Sequence, residues 1–102
     1  MQPSEVLSDV KNYLNITWTD EATDAKISGL IASGIFYIND KAGSEQDYSA
    51  AGYGRTLLLE YVRYARDEAL DVFENNYRSF ILAMQNNERL NNYVSKTQQT
   101  NA

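Results

Sequence analysis

The sequence contains neither cysteine nor histidine. Without cysteine the chain cannot form disulfides, use a thiolate nucleophile or bind a metal through sulfur. Without histidine it lacks the usual proton carrier near neutral pH and the commonest metal ligand. Because most enzyme classes rely on one of these side chains, we expect the protein not to be an enzyme and to bind no cofactor.

Long apolar runs and an excess of basic residues are also missing. No stretch approaches the roughly 18 apolar residues of a membrane span, and the opening MQPSEVLSDVK lacks the basic and apolar regions of a signal peptide. The formal net charge is -5, whereas a protein that grips nucleic acid gathers Lys and Arg on one face. We therefore expect no membrane association, no sequence-specific nucleic-acid binding and a cytoplasmic start.

Two amphipathic helices are predicted in the first half of this single-domain chain. Residues Ser4–Leu14 begin with a capping hydroxyl and carry apolar side chains at helical spacing. The second helix is capped by Thr19 or Asp20 and runs to about Lys41, because Gly43 suits the left-handed position that ends a helix. Small residues near its middle, including Gly34, would let another helix approach closely.

The longest uninterrupted pattern, Thr56–Tyr77, contains neither glycine nor proline and predicts a long central third helix. One side carries apolar residues, and the other is predicted to be solvated, with Glu60 on it. A further apolar strip makes the apolar sector wider than one packed face requires. We predict that a partner covers this strip, which consists of Leu59, Leu70, Phe73 and Tyr77, interrupted by Arg66.

A fourth helix is predicted over Tyr77–Leu90, with the alternative that it continues the third helix through a kink. Little chain remains for its apolar side chains to pack against. We therefore predict partner contact for Phe80, Ile81 and Met84, with docking onto the third helix as the alternative. The expected fold is an all-α bundle of three to four helices over residues 1–94, followed by a flexible polar tail, 95–102.

Acidic residues recur at helical spacing on the third helix, a pattern that a carboxylate metal site also shows. Metal sites in helical bundles typically add histidine ligands from facing helices, and this chain has none. We predict no metal site and a solvated acidic face for Asp67, Glu68, Asp71 and Glu74.

Three segments in this order resemble a known family: EVLSDVKNYLNI, TDEATDAKISGLIASGIFYIND and LLLEYVRYARDEALDVFENNYRSFILAM. Together they cover roughly Glu5–Leu90 and look like the head-tail connector family of tailed bacteriophages, also called head-completion or adaptor proteins. The resemblance implies a small helical bundle whose copies form a ring on the portal protein and extend the DNA channel toward the tail.

The resemblance also implies partners and a location. A connector binds the portal above, its own copies laterally and a tail-side or stopper protein below; it lies at the head-tail interface of the virion after assembly in the host bacterial cytoplasm. We assign ring contacts to the strip on the third helix and portal docking to Phe80, Ile81 and Met84. The acidic balance suits a channel through which DNA slides, and the isolated subunit can be monomeric.

Two other functions remain open from the sequence. A small helical regulator or adaptor would bind a single protein partner through the same residues, in a one-to-one complex without a ring. An enzyme would use the acids of the third helix with a divalent ion, which we rank last.

Overall fold

The computed structural model describes the backbone of residues 3–100 and the side chains of residues 6–93. These residues form five helices: α1 Pro3–Tyr13, α2 Glu21–Ala42, α3 Tyr53–Arg66, α4 Leu70–Asn76 and α5 Arg78–Thr100. The all-α prediction is confirmed, and the described part of the chain contains no strand. The predicted count of three to four helices is wrong, because the long central helix is divided.

Both ends of α2 follow from local sequence. The Asp20 carboxylate accepts a hydrogen bond from the backbone N–H of Thr23 at 3.2 Å and one from its hydroxyl at 2.8 Å. These bonds lower the pKa of Asp20, because they favour the charged carboxylate. At the other end Gly43 has a φ of 79° and donates to the carbonyl of Asn39 at 2.9 Å. The predicted cap and stop are therefore confirmed.

Helix α1 ends in a Schellman motif, in which one left-handed residue turns the chain and two backbone bonds close the last turn. Asn15 is that residue, with a φ of 61°. Its N–H donates to Asn12 at 3.2 Å, and the N–H of Ile16 donates to Lys11 at 2.8 Å. The turn directs the Ile16 side chain into the core, where it is buried.

Helix α3 ends in the same motif, at a place where the sequence predicts continuous helix. Glu68 has a φ of 57°, and its N–H donates to Ala65 at 3.1 Å. The N–H of Ala69 donates to Tyr64 at 2.8 Å, which completes the pair of bonds. The prediction of one helix over Thr56–Tyr77 is therefore wrong.

The break brings Phe73 of α4 into a cluster of tyrosine rings. Its ring centroid lies 5.6 Å from those of Tyr61 and Tyr64, 6.1 Å from Tyr37 and 5.2 Å from Tyr77. Each such pair adds about 0.5–1.5 kcal/mol beyond the burial of its area. An unbroken helix would instead carry this segment straight on, so the aromatic contacts explain why the chain turns.

Helices α2 and α3 approach closely at Gly34, as predicted. A β-carbon added there would lie 2.8 Å from side-chain atoms of Leu58 and Tyr61, so no larger residue fits without displacement. The core extends on both sides of this contact. It is formed by Val6, Val10, Ile16, Ile27, Ile31, Ile38, Tyr48, Leu57, Leu58, Val62, Phe73, Ile81 and Met84.

Helix α5 packs against α2, α3 and α4 and extends beyond the predicted end at Leu90. Its polar side chains hold the end of α2: Gln85 donates to the carbonyl of Lys41 at 3.0 Å, and Glu88 accepts from Ser44 at 2.8 Å. The predicted tail, 95–102, begins inside α5, and its last two residues lie outside the described residues. Its flexibility stays a prediction.

Candidate interaction surfaces

The residues predicted to contact neighbouring copies lie in different environments. Phe73 is buried, with 2% of its surface exposed, and Leu59 and Tyr77 are partly buried against the core. Arg66 and Leu70 are exposed at the turn between α3 and α4. Only these last two offer an open surface, because most of the strip, which would be surplus in an unbroken helix, packs within the protomer.

The residues predicted to dock on the portal divide in the same way. Ile81 and Met84 belong to the core, with 6% and 2% of their surfaces exposed, whereas Phe80 is 40% exposed. The reason given for the prediction, that little chain remains to cover this helix, is wrong because α2 and α3 both pack against α5. Met84 therefore offers no surface to a partner in this conformation, and Ile81 offers only the small part that lines a groove beside Leu82.

Several large apolar side chains of α4 and α5 are exposed, among them Leu90 and Tyr93 farther along α5. We call the four that are nearest in sequence to the junction of the two helices the α4–α5 surface: Leu70, Val72, Phe80 and Leu82. Leu82 is more than half exposed and lines a groove with Ile81, Lys41, Glu74, Arg78 and Gln85. An apolar floor with a charged rim is the usual composition of a protein-binding surface. The sequence analysis did not single out Val72 or Leu82.

One side of this groove is held by an ion pair between α2 and α4. Lys41 Nζ lies 2.7 Å from Glu74 Oε1, and the Tyr37 hydroxyl donates to the same oxygen at 2.9 Å. Both contacts lower the pKa of the Glu74 carboxyl, because they favour its charged form. Glu74 is thus a structural contact between helices.

Glu60 was predicted on the solvated face, which is wrong, because only 7% of it is exposed. Its Oε1 accepts from the Tyr13 hydroxyl of α1, and its Oε2 accepts from Arg63 Nη2 at 2.6 Å. Burial raises the pKa of Glu60, but bonds from Tyr13, Arg63 and Tyr77 outweigh this and lower it. The carboxylate is therefore held ionised, and its hydrogen bonds with Tyr13 and Arg63 join α1 to α3, an arrangement that does not favour acid catalysis.

The acids considered as metal ligands do not gather around a common point. Among the described residues, no group of three or more acidic side chains could hold a metal ion. Asp67, Glu68, Asp71 and Glu74 are all exposed, as the sequence predicts, and Glu74 also pairs with Lys41.

Among the residues whose side chains are described, the most exposed large apolar one was not singled out by the sequence analysis. Phe36 lies on the outward face of α2 with 76% of its surface exposed, beside a groove that Tyr37, Asp40 and Tyr61 also line. A signal for it exists in the sequence, because the positions of α2 opposite its buried residues carry few charges. An exposed ring on such a face is a second candidate contact for a partner.

Comparisons with known proteins add no relative. No family model matches the chain, and no curated protein and no solved structure is similar to it. Within the described residues, no helix combines the length and the apolar character needed to cross a membrane. The likeness to head-tail connectors stays a prediction from the sequence.

Proposed function

We propose that this protein is a head-tail connector subunit of a tailed bacteriophage, which binds the portal protein and further copies of itself in a ring that extends the DNA channel. The proposal rests on the resemblance of the three helical segments and on the all-α fold. The observation that supports it most is the α4–α5 surface, where apolar side chains stay exposed although the core is complete without them.

A ring also needs two different faces on each subunit, because head-to-tail contacts close only when unlike surfaces meet. The α4–α5 surface serves as one of them, with Arg66 and Arg78 as its exposed basic residues. A tail-side or stopper protein would bind the face of the ring away from the portal. The net charge of -5 suits a wall along which DNA slides.

The test is negative-stain electron microscopy of the protein mixed with the portal encoded in the same genome. Added density at the narrow end of the portal is expected with the wild type and is expected to be lost in Leu82→Glu. Ser79→Glu adds the same charge at another exposed position of α5 and should keep the density. A portal that stays bare with the folded wild type would contradict the proposal.

The groove lined by Leu82 favours one further function, a small adaptor that binds a single protein partner. Its apolar floor and charged rim would accept one amphipathic segment. Mass measurement of the complex distinguishes the two, since the adaptor gives a one-to-one complex and the connector gives a ring.

A further inference from the structure

The outward face of α2 carries few of the charged side chains that a solvated helix face normally has. Eight exposed residues lie opposite the buried Ile27, Ile31 and Ile38. Six of them are small or apolar, and two are charged. The face consists of Ala22, Ala25, Lys26, Gly29, Ala32, Ser33, Phe36 and Asp40.

The two charges have opposite signs and lie at opposite ends of this face. Lys26 and Asp40 are each seven positions from Ser33. Between them the face passes through Gly29, Ser33 and Phe36, so successive positions are separated by three, four, three and four residues. Such spacing keeps side chains on the seam between two packed helices. Neither Lys26 nor Asp40 forms an ion pair with a described side chain.

We propose that α2 binds α2 of a second copy, antiparallel and related by a two-fold axis near Ser33. In this arrangement Lys26 of each copy faces Asp40 of the other, so two ion pairs form at the ends of the seam. A parallel pair would instead set Lys26 against Lys26 and Asp40 against Asp40. The charge pattern therefore favours a second copy of the chain as the partner of this face, and it favours the antiparallel over the parallel orientation of the two α2 helices.

The shape of the face fits the same pairing. Phe36 lies three positions from Ser33 on one side and Gly29 lies four positions away on the other, so each Phe36 meets the Gly29 region of the other copy. No heavy atom lies within 4 Å of a β-carbon added at Gly29, so the space above it is open. The exposed Phe36 ring of one copy thus faces the open space above Gly29 of the other copy. Small residues on either side let the two helices approach closely.

This pairing does not depend on the connector proposal. It uses the face of α2, whereas the connector proposal uses the α4–α5 surface, and a two-fold contact closes at two copies instead of building a ring. It can therefore be tested on the isolated protein without a portal. A failure here leaves the connector proposal as it stands, and the reverse also holds.

A charge swap gives the sharpest test, followed by sedimentation equilibrium over a range of concentrations. The wild type is expected to be a monomer–dimer equilibrium. Lys26→Asp alone and Asp40→Lys alone should each weaken the dimer by roughly tenfold or more, since like charges then meet at both ends. The double variant should restore it, and Phe36→Glu should abolish it.

The results that overturn the pairing are equally definite. A wild type that stays monomeric at all concentrations overturns it, and so does a dimer that neither the single charge variants nor Phe36→Glu weakens. Species larger than a dimer would indicate head-to-tail contacts and also count against it. Circular dichroism melting checks that the variants fold, which is expected because the altered side chains are exposed.

The absence of cysteine allows a second, geometric test. Ser33→Cys places a single thiol beside the two-fold axis, and mild oxidation should link two copies. Ser8→Cys, exposed on α1, is the matched control and should link far more slowly. Equal rates for the two variants would contradict an axis near Ser33.

Discussion

The ends of α1 and α3 have the same geometry but different sequences. Each is a Schellman motif with one left-handed residue, Asn15 in the first and Glu68 in the second. Asparagine tolerates this conformation well, whereas glutamate carries the usual penalty for a side chain there. The first end can therefore be predicted from local sequence, and the second cannot.

The segments that come after the two turns explain the difference. After Asn15 the chain sends only Ile16 into the core, whereas after Glu68 a whole helix folds back to bring Phe73 among four tyrosines. The larger packing energy of the segment after Glu68 offsets the less favourable left-handed conformation of that residue. A helix end without glycine, proline or asparagine can therefore be imposed by packing.

The largest effect is expected from removing the anchor after each turn. Phe73→Ala should lower the free energy of unfolding by about 3–5 kcal/mol, and Ile16→Ala by about 2–3 kcal/mol, because the aromatic anchor loses both burial and ring contacts. Urea unfolding followed by circular dichroism measures both. Val72→Ala, on the exposed side of α4, is the control and should cost far less.

If Ile16→Ala cost as much as Phe73→Ala, the α3 end would have no larger tertiary support than the α1 end. The proposed difference between the two turns would then be contradicted.

The next largest change in stability is expected at Glu60, whose hydrogen bond with Tyr13 links α3 to α1. Glu60→Gln should cost about 1–3 kcal/mol at neutral pH, because a buried charged acceptor loses its match with Arg63 and Tyr13. The pKa of Glu60 is lowered in the folded state. Its stabilisation is therefore fully present above its ordinary pKa and is lost as the pH falls through the folded value.

The measurement is the difference in unfolding free energy between wild type and Glu60→Gln as the pH is lowered. The difference should shrink with acidification. Tyr13→Phe removes one of the hydrogen-bond donors that lower the pKa of Glu60. It should therefore reduce the free energy of unfolding less in the Glu60→Gln background than in the wild type. A difference that grows at low pH would contradict the assigned direction of the pKa shift.

The smallest changes in stability are expected at the two left-handed turn residues, Glu68 and Asn15. Glu68→Gly should stabilise the protein by about 0.5–1 kcal/mol, since relief of the left-handed penalty exceeds the added entropy of the unfolded chain. Asn15→Gly should change stability by only a few tenths of a kcal/mol, because asparagine already tolerates this conformation. Thermal and urea unfolding measure both. Equal gains would show that the two turns are equally strained.

Exposure could be predicted less well than helix formation. The apolar pattern identified Leu70 and Phe80, which are exposed, together with Phe73, Ile81 and Met84, which are buried. Periodicity shows that residues share a helix face, but it does not show which neighbour covers that face. The same limit hid Glu60, whose burial depends on Tyr13 from a helix 47 positions away in sequence.

The sequence by itself determined the helical class, the bounds of α1 and α2, the cap at Asp20 and the stop at Gly43, because these depend on side chains within a few residues of one another. Only the tertiary structure decided the break after Arg66 and the burial of Glu60, Ile81 and Met84. Each of these depends on how distant helices meet, and packing between them outweighs the local preference of the chain there.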